Sequence, residues 1–350
     1  MPKMFDPIIL KGRKVKNRVV FPPGVTFDPE VLGGVMSAGT IEHYRRVAKA
    51  GCGMVIVEAT CVARDGLLAP TQLGVWDDSF VDGLSKLPPI IRAEGALALL
   101  QIEHSGVRTP KSVTEDIAAP SEYTTGDVTA RALELHEIKT IERQFVEAGV
   151  RAKKAGFDGV ELHACHGYLI NQFLSPTVNH RSDEYGKDRA KFALDILAGL
   201  RRELGDDFII SVRIPGNDPD LETCISYAKR FEAAGADLLH VSAGFVNKPP
   251  ADMVYKQNDN YNWIAAMGIE IKKHVGVPVV AVNGIRTPEQ AHYILETGGV
   301  DFVAMLKAYM CDLGWIEKAR TGQAVTQCAE CKKCMRFTGM YNCALNTLNK

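Results

Sequence analysis

Eight short runs rich in aliphatic and β-branched residues recur along the chain, and nearly all are followed by a longer helical pattern. The runs are Arg18–Pro22, Met54–Glu58, Ala96–Gln101, Gly159–His163, Ile209–Ile214, Leu238–Ser242, Pro278–Val282 and Phe302–Met305. Their cores are continuous rather than alternating, as expected for strands covered on both faces. Between them the spacing predicts helices over Thr40–Ala50, Asp78–Glu94, Lys139–Ala155, Arg189–Leu204, Leu221–Ala234, Asn262–His274 and Pro288–Glu296. Gly51, Gly156 and Gly235 stand where three of these would close in a left-handed turn. Eight strand–helix units predict an α/β protein of the closed (β/α)8 TIM-barrel class. The rival, an open doubly wound sheet, usually carries a Gly-rich phosphate turn after its first strand. No G-x-G-x-x-G occurs, and Gly51-Cys52-Gly53 precedes a strand instead of following one.

A chain of 350 residues would suit two average domains, but such barrels run this long as one. The expected division is a barrel over residues 1–322 and a short Cys-rich tail over 323–350. A formal net charge of −1 gives no overall field for nucleic acid or an anionic membrane. No apolar run is long enough to cross a bilayer, and the N-terminus has no signal-peptide pattern. The expectation is a cytoplasmic protein with a small-molecule substrate, no nucleic-acid or membrane partner, and a homo-oligomer left open. Nine cysteines in an unexported chain argue against a disulfide framework. Cys52, Cys61, Cys224 and Cys311 read as buried small hydrophobes; Cys165 is set apart because it sits inside a motif.

Long connections, Thr60–Asp77, Ser105–Glu137 and Gly167–Asp188, follow three of the strands, on the barrel face where catalytic groups gather. Polar groups stand at or just past most strand ends: Glu58, Gln101 with His104, His163 with His166, Arg213, Ser242, Asn283 and Lys307. The richest stretch is Glu161-Leu162-His163-Ala164-Cys165-His166-Gly167-Tyr168. Two imidazoles three residues apart can ligate a metal, shuttle protons, or donate to a carbonyl oxygen; either alone is more often a satisfied polar group at the barrel rim. Paired donors would polarise an enone, and Tyr168 supplies a weak acid. A zinc site needs a third ligand, and Glu161 is read as turning to the other side of its strand. A buried Arg213 needs an anionic partner, either a barrel carboxylate or the electron-rich edge of a reduced flavin. Asn283-Gly284-Ile285-Arg286 and Leu306-Lys307 follow the last two strands, where many barrels bind phosphate.

These residues resemble the Old Yellow Enzyme family of FMN-dependent ene-reductases, in the class sharing its barrel with 2,4-dienoyl-CoA reductase and bile-acid-inducible oxidoreductases. The matching stretches run from Phe5-Asp6-Pro7 to about Gly322. They include Lys16 to Pro23, Gln101-Ile102-Glu103-His104-Ser105-Gly106, Ala155 to His163, and His166-Gly167-Tyr168-Leu169-Ile170-Asn171-Gln172-Phe173-Leu174-Ser175-Pro176. The resemblance implies that His163 and His166 hold a substrate carbonyl and that Tyr168 donates the proton. It places Gln101 and Arg213 on the flavin pyrimidine, with Pro23, Gly24 and Ala59 along the ring system. Asn283, Gly284, Leu306 and Lys307 fall in its phosphate region. It implies FMN as cofactor, NAD(P)H as electron donor, an enone-type substrate and ping-pong turnover at one site. Three positions depart from the family pattern: Val25 replaces a Thr or Cys, Leu306-Lys307 replaces Gly-Arg, and Asn283 replaces the first of two glycines.

Cys328, Cys331, Cys334 and Cys343 form C-x2-C-x2-C-x8-C, a set suited to zinc or an iron–sulfur cluster. In long relatives such a tail carries a 4Fe–4S cluster; the alternative is reduced thiols packed on the barrel. Two further enzyme classes stay in view. An amine dehydrogenase would need an aromatic cage, for which Tyr255, Tyr261 and Trp263 are the candidates. A metal-dependent hydrolase or lyase would use His104, His163 and His166.

Overall fold

The computed structural model describes residues 3–255, 258–332, 334, 343 and 345. Its centre is a closed barrel of eight parallel strands. These are β1 (Val19–Phe21), β2 (Met54–Cys61), β3 (Leu97–Glu103), β4 (Gly159–His163), β5 (Ile209–Pro215), β6 (Leu238–Ser242), β7 (Val279–Val282) and β8 (Phe302–Ala304). Each pairs with its neighbours in sequence, and β8 closes onto β1 with Val303 opposite Val19. Every residue of all eight strands is buried, which is why the apolar runs do not alternate.

The eight expected strands are all present. Six expected helices form within a few residues of their expected bounds, from Ala38–Lys49 to Pro288–Glu296. The seventh, Asp78–Glu94, is broken into a 3-10 turn at Asp78–Phe80 and short helices at Val81–Leu84 and Leu87–Ala93. Pro88 and Pro89 sit in the first turn of the last piece, where proline is tolerated; placed mid-helix they would remove donors and clash. Two of the long connections hold structure of their own. Ala118–Ala119, Tyr123–Thr125 and Val128–Ala132 form a small three-stranded sheet, and Leu169–Leu174 and Glu184–Lys187 are short helices. The hairpin of Ile8–Leu10 with Arg13–Val15 comes before β1. No helix among the described residues is long and apolar enough to cross a membrane.

Candidate active site

A cleft of about 310 Å³ is formed by residues at the C-terminal ends of the barrel strands. All twelve residues expected at the site from the barrel itself line it. Pro23 and Gly24 come from the segment after β1, Ala59 from β2 and Gln101 from β3. His163, His166 and Tyr168 come from the end of β4 and the turn beyond it. Arg213 comes from β5, and Asn283, Gly284, Leu306 and Lys307 from the segments after β7 and β8. Phe27, Leu68 and Glu330 also line it, and no motif or spacing pointed to them.

β4 ends at His163, and His166 (φ 59°) and Gly167 (φ 74°) then turn the chain through two left-handed residues. That turn folds His166 back onto His163: His163 Nε2 and His166 Nδ1 are 3.0 Å apart, and His166 Nε2 is 2.7 Å from Ser242 Oγ on β6. The two imidazoles therefore do not act as independent donors; they form a hydrogen-bonded chain from Ser242 through His166 to His163. Its far end, His163 Nδ1, is buried without a partner. Burial first, and then His166 and Arg213, push the His163 pKa well below its ordinary value. Burial and then Arg213 do the same to His166. Both rings are neutral at physiological pH. Tyr168 packs on His163 with ring centroids 4.6 Å apart. Burial, then Glu103, push its phenol pKa up, so it keeps its proton.

Glu161 requires a correction. It stands two residues before His163, and residues two apart share a strand face. It points into the barrel, fully buried, where its carboxylate accepts from Gln101 Nε2 (2.8 Å), Ser211 Oγ (3.0 Å) and His240 Nδ1 (3.1 Å). It is absent from the histidine pair because these donors hold it, not because it faces away. Arg213, 7% exposed, has no hydrogen bond or ion pair from its guanidinium among the described residues, and its Nε is buried and unpartnered. Gln101 Oε1 is likewise buried and unpartnered.

Two members of the expected polar ring lie elsewhere. Glu58 is buried away from the cleft lining, accepting from Thr26 N (2.9 Å) and Tyr44 Oη (3.3 Å). His104 faces a separate cavity of about 270 Å³ with Asp65 and His136. Tyr255, Tyr261 and Trp263 do not line the cleft, so no aromatic cage of those residues stands there. At the other end, Asn283 (φ 84°) and Gly284 (φ 70°) are both left-handed, the conformation that favours a glycine pair. Asn is among the few other residues that adopt it readily, and Asn283 Oδ1 is held by Asn262 Nδ2 at 2.9 Å.

For the cysteine tail two alternatives stand, a metal-binding set and reduced thiols packed on the barrel. Cys328, Cys331, Cys334 and Cys343 are not gathered into one ligand set: among the described residues the only group of three or more metal-ligating side chains is His163, Cys165 and His166. Cys343 Sγ instead lies 3.8 Å from Cys311 Sγ on the barrel. Between the tail cysteines, Glu330 pairs with Arg286 at the cleft edge. Burial also pushes the Cys165 thiol up to about 12.

A closed parallel barrel whose strand ends form a cleft lined by two neutral imidazoles, a phenol and a buried arginine is the architecture of a barrel enzyme with its site at that face. Comparison with known proteins agrees. The family described as NADH:flavin oxidoreductase / NADH oxidase matches residues 3–325, and the chain belongs to that family. It is 35% identical to an NADH oxidase of Thermoanaerobacter brockii over 345 residues, covering 94% of this chain and 53% of that protein. It is 33% identical to a metal reductase of Desulforamulus reducens over 359 residues, covering 95% of this chain and 51% of that protein. The chain thus spans about half the length of these curated relatives. Among solved structures, a 2-naphthoyl-CoA reductase in complex with 2-naphthoyl-CoA superimposes with a TM-score of 0.88 at 25% identity, covering 98% of this chain and 57% of that one. An Old Yellow Enzyme homologue from Zymomonas mobilis gives 0.79 at 26% identity, covering 93% and 94%.

Proposed function

We propose that the cleft holds FMN and reduces the carbon–carbon double bond of an enone-type substrate with electrons from NAD(P)H, the two substrates using the site in turn. The observation that carries the reading is Arg213: a buried guanidinium with no anionic partner, turned into a cleft beside an equally unpartnered Gln101 Oε1. Leaving both unmet is costly. A flavin pyrimidine edge offers an N–H to the amide oxygen and carbonyls to the guanidinium, and it takes up negative charge on reduction. Gly284, Lys307 and Arg286 suit the phosphate end, where backbone approach and positive charge are needed. When bound, FMN supplies the hydride.

The chain's own residues do the rest. With Ser242 donating to His166 Nε2, the tautomers fall into line: His166 Nδ1–H donates to His163 Nε2, leaving His163 Nδ1–H as a free donor. That N–H is assigned to the substrate carbonyl oxygen, where charge develops as the double bond is reduced. Tyr168, protonated and packed on His163, is assigned the proton for the carbon beside the carbonyl. The test is rapid reoxidation of the NADH-reduced, FMN-loaded protein by enones of graded size. Reoxidation by enones supports the reading; a colourless protein that binds no FMN, or a reduced protein indifferent to every enone, overturns it.

A further inference from the structure

The barrel interior carries a polar layer of which only Gln101 lines the cleft. Glu161 on β4 is its hub. Its Oε1 accepts from Gln101 Nε2 on β3, and its Oε2 accepts from Ser211 Oγ on β5 and His240 Nδ1 on β6. Glu161, Ser211 and His240 are all fully buried. Such a network cannot be incidental: an acid at the centre of a parallel barrel is tolerated only if its lone pairs are met. Four adjacent strands contribute to it, so it is fixed by the barrel itself.

We infer that Glu161 is a positioning residue for the flavin site, which locks the Gln101 amide with its oxygen toward the cleft and sets a fixed negative charge below Arg213. The inference rests on the proposed FMN site. Two observations support it. The first is geometric. An amide can present either end upward; because Glu161 is an acceptor only, it takes the NH2, and Oε1 is left for the cleft. The second is electrostatic. His240 is kept neutral by burial and then by Arg213, so its Nδ1–H serves Glu161 without adding charge. The layer then holds one carboxylate under one guanidinium. That carboxylate offsets part of the positive field with which Arg213 favours a reduced flavin, so Glu161 holds the reduction potential down.

The test is Glu161→Gln in the full chain, isosteric and uncharged, with two readouts that do not depend on turnover. The bound flavin is expected to become easier to reduce by about tenfold in the oxidised/reduced equilibrium, about 30 mV for a two-electron couple. FMN affinity is expected to fall by up to about tenfold, since a Gln at 161 no longer dictates which end of Gln101 faces up. Ser211→Ala is the companion: it keeps the charge and removes a hydroxyl that partly neutralises it, so the potential is expected to move the opposite way. Opposite signs in the two variants support the assignment, and Ser211→Ala alone tests it if Glu161→Gln does not fold. An unmoved potential, or shifts of one sign in both, overturns it while leaving the FMN site standing. Failure of the unaltered chain to bind FMN overturns both.

Discussion

Two sides of the barrel bury carboxyl groups, and they treat them differently. On β2 and β3, Glu58 and Glu103 are fully buried, and neither forms an ion pair among the described residues. Burial, only partly offset by hydrogen bonds, pushes each to about 7. On β4, Glu161 is just as buried, yet it is held below its ordinary range. Burial opposes its charge there too, but hydrogen bonds from His240 and Ser211 and the charge of Arg213 outweigh it. Depth alone therefore does not decide whether a buried acid ionises; the donors and the nearest cation do. One side of the barrel holds two acids that switch near neutrality and the other a carboxylate kept ionised.

The largest expected effect is at Tyr168, just beyond β4 in the cleft lining. Replacing it with Phe is expected to slow reoxidation of the reduced protein by an enone about 10²–10⁴-fold. Flavin reduction by NAD(P)H should be intact. Equal losses in both half-reactions would remove Tyr168 from the proton-donor role.

The next effect is on stability. Glu58 and Glu103 have folded pKa values raised above an ordinary 4.5. Their stabilising contribution is thus complete below pH 4.5 and lost as pH rises through about 7. A shift of that size corresponds to about 3 kcal/mol for each group. Urea unfolding at pH 5 and pH 8 should show this loss, and Glu58→Gln should remove its share. Glu161 has the opposite sign: its contribution is present above 4.5 and fails only as pH falls through its lowered value. Glu161→Gln should leave the slope between pH 5 and 8 unchanged; a flattened slope would break the comparison.

Arg213→Met is expected to weaken FMN binding by roughly 10–100-fold, the scale of a hydrogen bond to a charged group. Quenching of FMN fluorescence on titration measures it. Unchanged affinity would mean that the cation serves the barrel rather than the cofactor. The smallest effect is at the tail. Arg286 is about one third exposed where it meets Glu330, so Glu330→Gln should change unfolding stability by less than about 1 kcal/mol.

The barrel was legible because its signal is local. Gly159–His163 and Leu238–Ser242 have the same bounds in sequence and structure, since a continuous apolar run between turn signals needs no distant partner to be read. The three-stranded sheet within Ser105–Glu137 was not legible, because strands of two to five residues, largely exposed in Tyr123–Ala132, carry no pattern. Part of the site was legible as strand-end positions, among them Gln101, His163, His166, Arg213, Asn283 and Lys307, whereas Pro23, Gly24 and Ala59 came only from the family resemblance; all of these line one cleft. Their bonding was not legible. Cys311 illustrates the limit: it reads as an ordinary buried thiol, and only the fold sets it against Cys343.

Sequence by itself determined the eight-fold alternation, the mouth at which the polar groups collect, and the family to which the motifs belong. Tertiary structure alone decided that His163 and His166 bond to each other, that Glu161 shares their face and is held by three strands, and that the Arg213 guanidinium has no hydrogen bond or ion pair among the described residues. The physical reason is range. Periodicity and turn chemistry act over a few residues, whereas protonation and hydrogen bonding in a barrel depend on side chains from strands that meet only when the sheet closes.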